Sequence, residues 1–124
     1  MGMKKLVLLV EDEANIRTIM EFAIEEMGFE ALVARDAEEA LVLLKDASPQ
    51  LILLDVLLPG MDGWELCKQI KSNIQLKFIP VIIVTANTSA IEQLAKESGA
   101  DACLYKPFTT FDLIRQIQQF IYRR

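Results

Sequence analysis

Short apolar runs alternate with longer amphipathic stretches along this chain, and the alternation predicts the order of its elements. Five runs are rich in branched apolar residues, as is typical of strands buried on both faces. These strands cover residues 6–10, 29–34, 51–54, 79–84 and 102–105. Helical spacing predicts helices over residues 15–27, 36–47, 62–72 and 89–98, and a fifth from residue 110 to near the C-terminus. Five such repeats indicate an α/β protein, with a parallel sheet between two layers of helices.

Aspartate and glycine residues mark the ends of several predicted helices. Asp36 and Asp62 are each followed three positions later by a glutamate, which is the capping-box signature of a helix start. Gly28 and Gly99 stand where a helix C-terminus favours glycine. Asp62 is thereby explained as a helix cap and not as a further acid of a functional site.

The chain has 124 residues, the size of one ordinary domain, and it contains no linker or low-complexity tract. We expect a single domain over residues 3–124, with residues 1–2 a cloning addition. The longest purely apolar runs have about five residues, far fewer than a membrane-spanning helix needs. The sequence shows no signal-peptide pattern, so it predicts a cytoplasmic protein that does not enter a membrane.

Charge and composition exclude several classes of function. Thirteen basic and eighteen acidic side chains give a net charge of −5, and an acidic chain without a basic stripe is a poor binder of nucleic acid. The sequence contains no histidine, which excludes a Ser-His-Asp nucleophile and the common zinc sites. Cys67 and Cys103 have no metal-like spacing and are expected to be reduced thiols. A cation or a protein partner is the better expectation.

Four of the predicted strands are followed at once by residues that can do chemistry. Glu11 and Asp12 come after the first strand, Asp55 after the third, Thr85 after the fourth and Lys106 after the fifth. Ligands of open parallel sheets bind beside the carboxyl ends of the strands, so these five residues are predicted to meet. Neighbouring carboxylates repel one another unless a cation lies among them, and oxygen ligands suit Mg²⁺. A threonine hydroxyl and a lysine ammonium can contact the oxygens of a phosphoryl group.

The residues alone leave open whether Asp55 is a nucleophile or only a metal ligand. A carboxylate can attack phosphorus and form an aspartyl phosphate. A phosphatase of the haloacid-dehalogenase type needs a second aspartate two positions later, where this chain has Leu57. The sequence has neither the phosphate-binding loop nor the dinucleotide-binding glycine motif. The site can thus accept a phosphoryl group, but it lacks the groups for rapid turnover, and the chain is not expected to be an enzyme.

Four motifs at four strand ends resemble one protein family. They are LVEDE at 9–13, LILLDVLLPGMDG at 51–63, IIVTA at 82–86 and YKPF at 105–108. The chain resembles, over essentially its whole length, a response-regulator receiver domain of bacterial two-component signalling. The resemblance implies a flavodoxin-like (βα)5 fold, doubly wound, with strand order 2-1-3-4-5.

The resemblance also implies a role for each residue at the strand ends. Asp55 is then the phosphoacceptor. Asp12 and Asp55 bind Mg²⁺ directly, Glu11 binds it through water, and the backbone carbonyl of Leu57 completes the protein ligands.

The phosphoryl contacts follow from the same resemblance. Thr85 and the backbone N–H of Ala86 bind phosphoryl oxygens, and Lys106 pairs with the phosphoryl group. Pro107 matches a family proline that often follows a cis peptide bond.

The function that the resemblance implies is a stand-alone phosphorylation switch. A histidine kinase or a histidine phosphotransfer protein donates the phosphoryl group to Asp55, and a downstream protein reads the result by binding. A receiver-like module that signals without phosphorylation is the alternative.

One position departs from the family pattern. Three residues before Lys106 the family usually carries an aromatic residue that moves inward when the threonine moves, and this chain has Cys103 there. Tyr105 lies two positions further on, so strand alternation places it on the same side as Cys103. We hypothesise that Tyr105 takes over part of this reporting role; a passive surface tyrosine is the alternative.

Overall fold

A computed structural model describes residues 5–86 and 88–121, which form five strands and five helices in strict alternation. The strands are β1 (Leu6–Val10), β2 (Glu30–Ala34), β3 (Leu51–Asp55), β4 (Val81–Ala86) and β5 (Ala102–Lys106). The helices are α1 (Ala14–Glu26), α2 (Ala37–Leu44), α3 (Gly63–Ser72), α4 (Ile91–Ser98) and α5 (Thr110–Ile121). The expectation that residues 1–2 are a cloning addition falls outside the described residues, as do both ends of the predicted domain. None of the helices described is long and apolar enough to cross a membrane.

The five strands form one parallel sheet in the order β2-β1-β3-β4-β5, which confirms the predicted flavodoxin-like topology. Successive side chains of a strand point to opposite faces, and each face carries its own apolar core. One core packs α2 and α3 against the sheet. The other packs α1 and α5 against the opposite face. The central strand β3 is buried along its whole length, which explains why its sequence shows no alternation of apolar and polar residues.

Side-chain caps and a glycine fix the helix ends that the sequence predicted. The Asp36 carboxylate accepts the backbone N–H of Glu39 at 2.8 Å, and the Asp62 carboxylate accepts that of Glu65 at 2.8 Å. Gly99 ends α4 in a left-handed conformation with φ of 80°, which a side chain would disfavour. The interpretation of Asp62 as a cap is confirmed.

Several boundaries differ from the predicted ones by two or three residues. Strand β4 begins at Val81 instead of residue 79, because Pro80 has no N–H to give to a ladder and the preceding segment folds into turns. Those turns start at Asn73, whose side-chain oxygen accepts two backbone N–H groups at 2.8 and 3.2 Å. Helix α2 ends at Leu44, three residues before the predicted end, and α4 begins at Ile91, two residues after the predicted start.

A lysine ties three elements together at the amino edge of the sheet, the edge where the strands begin. The Lys71 ammonium on α3 donates to the carbonyls of Ile79 at 2.7 Å and Lys77 at 3.2 Å. It also pairs with the Asp101 carboxylate at 2.7 Å. Asp101 in turn accepts the N–H of Val81 at 2.8 Å. These bonds join the end of α3 to the beginnings of β4 and β5.

Candidate functional site

The opposite, carboxyl edge of the sheet gathers the residues that the sequence singled out. Asp55 is the last residue of β3 and Lys106 the last of β5, Thr85 lies near the end of β4, and Glu11 directly follows β1. Glu11, Asp55 and Thr85 are exposed by only 2, 3 and 4%. Burial of two carboxyl groups costs free energy unless partners stabilise them, so their contacts decide what this edge can do.

Asp55 has one charged and one backbone partner. Its Oδ2 accepts a hydrogen bond from the Lys106 ammonium at 2.8 Å. Its Oδ1 accepts the backbone N–H of Leu57 at 2.8 Å. Because β4 lies between β3 and β5, the Lys106 side chain reaches across the end of β4 to make this ion pair. Both oxygens of Asp55 are thus held in place by contacts to the protein.

The carboxyl group of Glu11 has fewer hydrogen-bond partners than that of Asp55. Its Oε2 accepts the N–H of Glu13 at 3.1 Å, but its Oε1 is buried without a hydrogen-bond partner among the described residues. Burial and the neighbouring Asp55 together raise the pKa of the Glu11 carboxyl to about 7, while the Glu13 N–H and Lys106 oppose the shift. Two carboxyl groups therefore face each other with one positive charge nearby.

The fit of a metal ion can be judged from these atoms. An unpartnered buried carboxylate oxygen beside a second carboxylate is an environment that a hard divalent cation stabilises. The side chain of Asp12 is exposed on the same loop, and no three acidic, cysteine or histidine side chains of the described ranges converge closely enough to hold a metal alone. Glu11 and Asp55 fit Mg²⁺, which usually retains several waters, whereas Asp12 would have to turn inward to join them.

Thr85 and Ala86 are the last two residues of β4, the strand next to β3. The Thr85 hydroxyl donates to the carbonyl of Ala86 at 3.1 Å, and Ala86 itself is exposed. Lys106 precedes Pro107 with a cis peptide bond, as the resemblance implied. The roles predicted for Thr85, Ala86 and Leu57 toward a phosphoryl group or a metal ion stay predictions.

Cys103 and Tyr105 lie two positions apart in β5, so strand alternation directs both side chains to one side. Both residues line a cleft beside this strand. Cys103 is half-buried, whereas Tyr105 is 42% exposed. The tyrosine ring therefore lies at the surface in this structure.

Sequence reasoning missed a contact between α1 and the loop that carries the two acids. The Arg17 guanidinium donates from one nitrogen to the backbone carbonyls of Glu11 at 3.2 Å and Asp12 at 3.1 Å. The available signal was a basic residue in the first turns of a helix, where the helix dipole disfavours positive charge.

Gly63 is a second residue that the sequence did not single out. A Cβ at this position would lie 2.5 Å from the backbone carbonyl oxygen of Asp55 and 2.5 Å from Cα of Val56. The N–H of Gly63 also donates to the carbonyl of Val56 at 3.0 Å. Only glycine lets α3 begin directly against the end of β3, and this contact fixes the backbone that carries Asp55.

Comparison with known families agrees with this geometry. The model of the response regulator receiver domain matches residues 7–118. This chain therefore belongs to the response regulator receiver domain family.

Solved structures also place this chain in the receiver domain family. The chain is 32% identical to the chemotaxis protein CheY4 of Vibrio cholerae, with a TM-score of 0.89 over 96% of this chain and 100% of that one. It is 31% identical to the receiver domain of a signal transduction histidine kinase of Syntrophus aciditrophicus, with a TM-score of 0.89 over 97 and 94% of the two chains. The receiver domain of a sensor histidine kinase of Pseudomonas aeruginosa is 26% identical, with a TM-score of 0.88 over 97 and 99%. That structure has a magnesium ion coordinated in its active site cleft.

Proposed function

We propose that this chain is a phosphorylation-dependent signalling switch in which Asp55 accepts a phosphoryl group in a reaction that requires Mg²⁺. One observation carries the proposal. The Asp55 carboxylate is held by Lys106 at 2.8 Å, beside a buried oxygen of Glu11 that has no partner among the described residues. A site of this kind combines a positioned nucleophile, a cation for the incoming phosphoryl oxygens and unsatisfied negative charge that attracts a metal ion.

The chemical step follows from these groups. A carboxylate oxygen of Asp55 forms a bond to phosphorus while the bond between phosphorus and the donor's nitrogen breaks, and the electron pair leaves with the donor's imidazole. The Lys106 ammonium then moves from the carboxylate to a phosphoryl oxygen, and the Thr85 hydroxyl and the Ala86 N–H contact the others. When bound by Glu11, Asp12, Asp55 and the Leu57 carbonyl, Mg²⁺ supplies neutralisation of the phosphoryl charge.

The donor is a histidine kinase or a histidine phosphotransfer protein, since this chain contains no histidine of its own. An apolar cleft of about 400 Å³ lies beside Lys106 and is lined by Ile16, Ile19, Pro107 and Phe108. A donor that packs into this cleft brings its phosphohistidine next to Asp55. This proposal places the protein in the cytoplasm, because such donors present their phosphorylated domains there.

The output is a change in protein binding, and the switch is the receiver domain that we propose over residues 3–124. We propose that Tyr105 takes part in this output, because it is a surface residue of β5, the strand whose last residue holds Asp55. The replacement of the family's aromatic residue by Cys103 favours a second candidate, a receiver-like binding module that signals without phosphorylation.

Intact-mass measurement after incubation with acetyl phosphate tests the proposal. Wild-type protein should gain a single phosphoryl adduct in the presence of Mg²⁺ and none in EDTA. Asp55→Asn should gain none, while the matched variant of an exposed aspartate at the amino edge, Asp46→Asn, should behave as wild type.

A wild-type protein without an adduct would favour the binding module. A short-lived adduct is distinguished from this outcome with beryllofluoride, a stable mimic of the phosphoryl group. Protection of the amides around Asp55 by beryllofluoride would show that the site accepts the group.

A further inference from the structure

Arg17 makes contacts that the proposed reaction does not use. Its guanidinium lies on the second turn of α1 and turns back toward the loop between β1 and α1. One nitrogen donates to two successive carbonyls, those of Glu11 at 3.2 Å and Asp12 at 3.1 Å. The two residues whose backbone it holds are two of the proposed metal ligands.

The position of Arg17 is unfavourable for the helix that carries it. A positive charge near a helix N-terminus meets the positive end of the helix dipole. Helix α1 also begins without a side-chain cap and without an acidic residue in its first turn. An arginine at an unfavourable position of a helix is explained when its side chain stabilises another element. Here that element is the loop between β1 and α1, which carries Glu11 and Asp12.

Other hydrogen bonds also hold the loop between β1 and α1, and those from Arg17 add to them. The N–H of Glu11 donates to the carbonyl of Ala34 at 3.0 Å, which anchors the loop to β2. The N–H of Glu13 donates to the Glu11 carboxylate at 3.1 Å. Arg17 holds the carbonyl oxygens of Glu11 and Asp12, which none of these other contacts involves. Hydrogen bonds from a charged donor are stronger than neutral ones, so this contact limits the conformations available to Glu11 and Asp12.

We propose that Arg17 is a positioning residue, which clamps the backbone of Glu11 and Asp12 so that their carboxyl groups can bind Mg²⁺ without first ordering the loop. This inference rests on the proposed function. The positive charge of Arg17 by itself would repel a metal ion, so a clamp and a simple charge effect predict opposite changes in metal affinity when Arg17 is replaced.

Three variants separate these effects. Arg17→Met keeps the apolar stem and removes the donors, and Arg17→Lys keeps a charged donor. Arg115→Met is the matched control, because Arg115 lies on α5 with its guanidinium 5.5 Å from the ring of Phe111. Hydrogen exchange of the amides of residues 11–13 is measured in metal-free protein, and the Mg²⁺ dissociation constant is measured by titration calorimetry. Denaturation curves verify that each variant is folded.

Arg17→Met should raise the exchange rates of these amides and raise the Mg²⁺ dissociation constant about three- to tenfold. Arg17→Lys should recover at least half of both effects, and Arg115→Met should change neither. Unchanged exchange rates in Arg17→Met would overturn the clamp. Equal or tighter Mg²⁺ binding by Arg17→Met, or a lysine variant no better than the methionine variant, would also overturn it.

The experiment also separates this inference from the proposed function. A wild-type protein that binds no Mg²⁺ would overturn the proposed function and the effect of Arg17 on metal binding. The exchange rates in metal-free protein would still decide whether Arg17 holds the loop.

Discussion

Two ion pairs between lysine and aspartate stand at opposite edges of the same sheet, and they differ in how completely their atoms are satisfied. At the amino edge, the three protons of the Lys71 ammonium meet three acceptors, the Asp101 carboxylate and two backbone carbonyls. At the carboxyl edge, Lys106 meets Asp55 at 2.8 Å, and the nearby Glu11 retains a buried oxygen without a partner in the described part of the chain.

This difference indicates that the Lys71–Asp101 pair has a structural role, whereas the Lys106–Asp55 pair can still bind a further ligand. Lys71 gains little from any further ligand, because its three ammonium protons already meet acceptors within the protein. Asp55 and Glu11 place two carboxyl groups around one ammonium, so a cation or a phosphoryl group can improve the electrostatics of this edge. Substitutions and pH should therefore affect the two pairs differently, and three predictions test this, followed by a fourth for Tyr105.

The largest effect is expected at the amino edge. Lys71→Met should lower the free energy of unfolding by about 3 kcal/mol, because it leaves Asp101 and two carbonyls without their charged donor. Urea denaturation monitored by circular dichroism measures this change. Lys68→Met, an exposed lysine on the same helix, is the matched control and should change stability little. Similar values for the two variants would show that the Lys71 contacts contribute nothing specific.

The second prediction concerns pH. The Glu11 carboxyl has a pKa of about 7 in the folded protein against an ordinary value of 4.5, so the folded state retains a proton that the unfolded state has lost. The free energy of unfolding of metal-free protein should fall as pH rises between these two values and level off above pH 7.

The matched variant Glu11→Gln isolates this contribution. The difference in stability between wild type and Glu11→Gln, measured in EDTA by urea denaturation from pH 4.5 to 8, should change in favour of the variant as pH rises. Saturating Mg²⁺ should reduce the change in the wild type. Parallel pH profiles of the two proteins would contradict the interpretation of Glu11.

The third prediction applies one isosteric change to both pairs. Asp55→Asn should stabilise metal-free protein by about 1 kcal/mol at pH 8, because the repulsion with Glu11 disappears and Lys106, with 27% of its side chain exposed, can reach water. Asp101→Asn should destabilise the protein, because Lys71 loses its counter-ion. If denaturation experiments show that both variants are stabilised, or that both are destabilised, the two edges do not differ as described.

The smallest effect on stability is expected at Tyr105. Tyr105→Ala should lower the free energy of unfolding by less than about 0.5 kcal/mol, because the side chain is largely at the surface. The same variant should reduce the beryllofluoride-induced change in hydrogen exchange of α4 and α5. An undiminished change would show that Tyr105 is a passive surface residue.

The sequence predicted the fold and the contact between Asp55 and Lys106 because both follow from position along the chain. Buried runs indicate strands, and the parallel sheet brings their carboxyl ends to one edge, so the proximity of Asp55 to Lys106 needed no knowledge of side-chain conformations. The capping residues Asp36 and Asp62 were predictable for the same reason, since a cap acts within four residues of itself.

Contacts that depend on side-chain direction could not be predicted. Nothing in the spacing of Lys71 indicates that its ammonium would meet the carbonyls of a turn and a carboxylate 30 positions later. Likewise Asp12 follows Glu11 directly, yet Glu11 is buried and Asp12 is exposed. The start of β4 was predicted two residues early, because the pattern of apolar residues continues through a segment that the turns after Asn73 take out of the sheet.

The distance along the chain between Asp55 and Lys106 has a consequence for biosynthesis. The two residues are 51 positions apart, and at 5–20 residues per second a ribosome needs roughly 3–10 s to pass from one codon to the other. During that interval the nascent chain already carries Glu11, Asp12 and Asp55, but it lacks Lys106 and the fifth strand that closes the sheet. A growing polypeptide therefore cannot assemble the carboxyl edge of the sheet. Only a chain whose synthesis has passed Lys106 can carry out the chemistry of this edge.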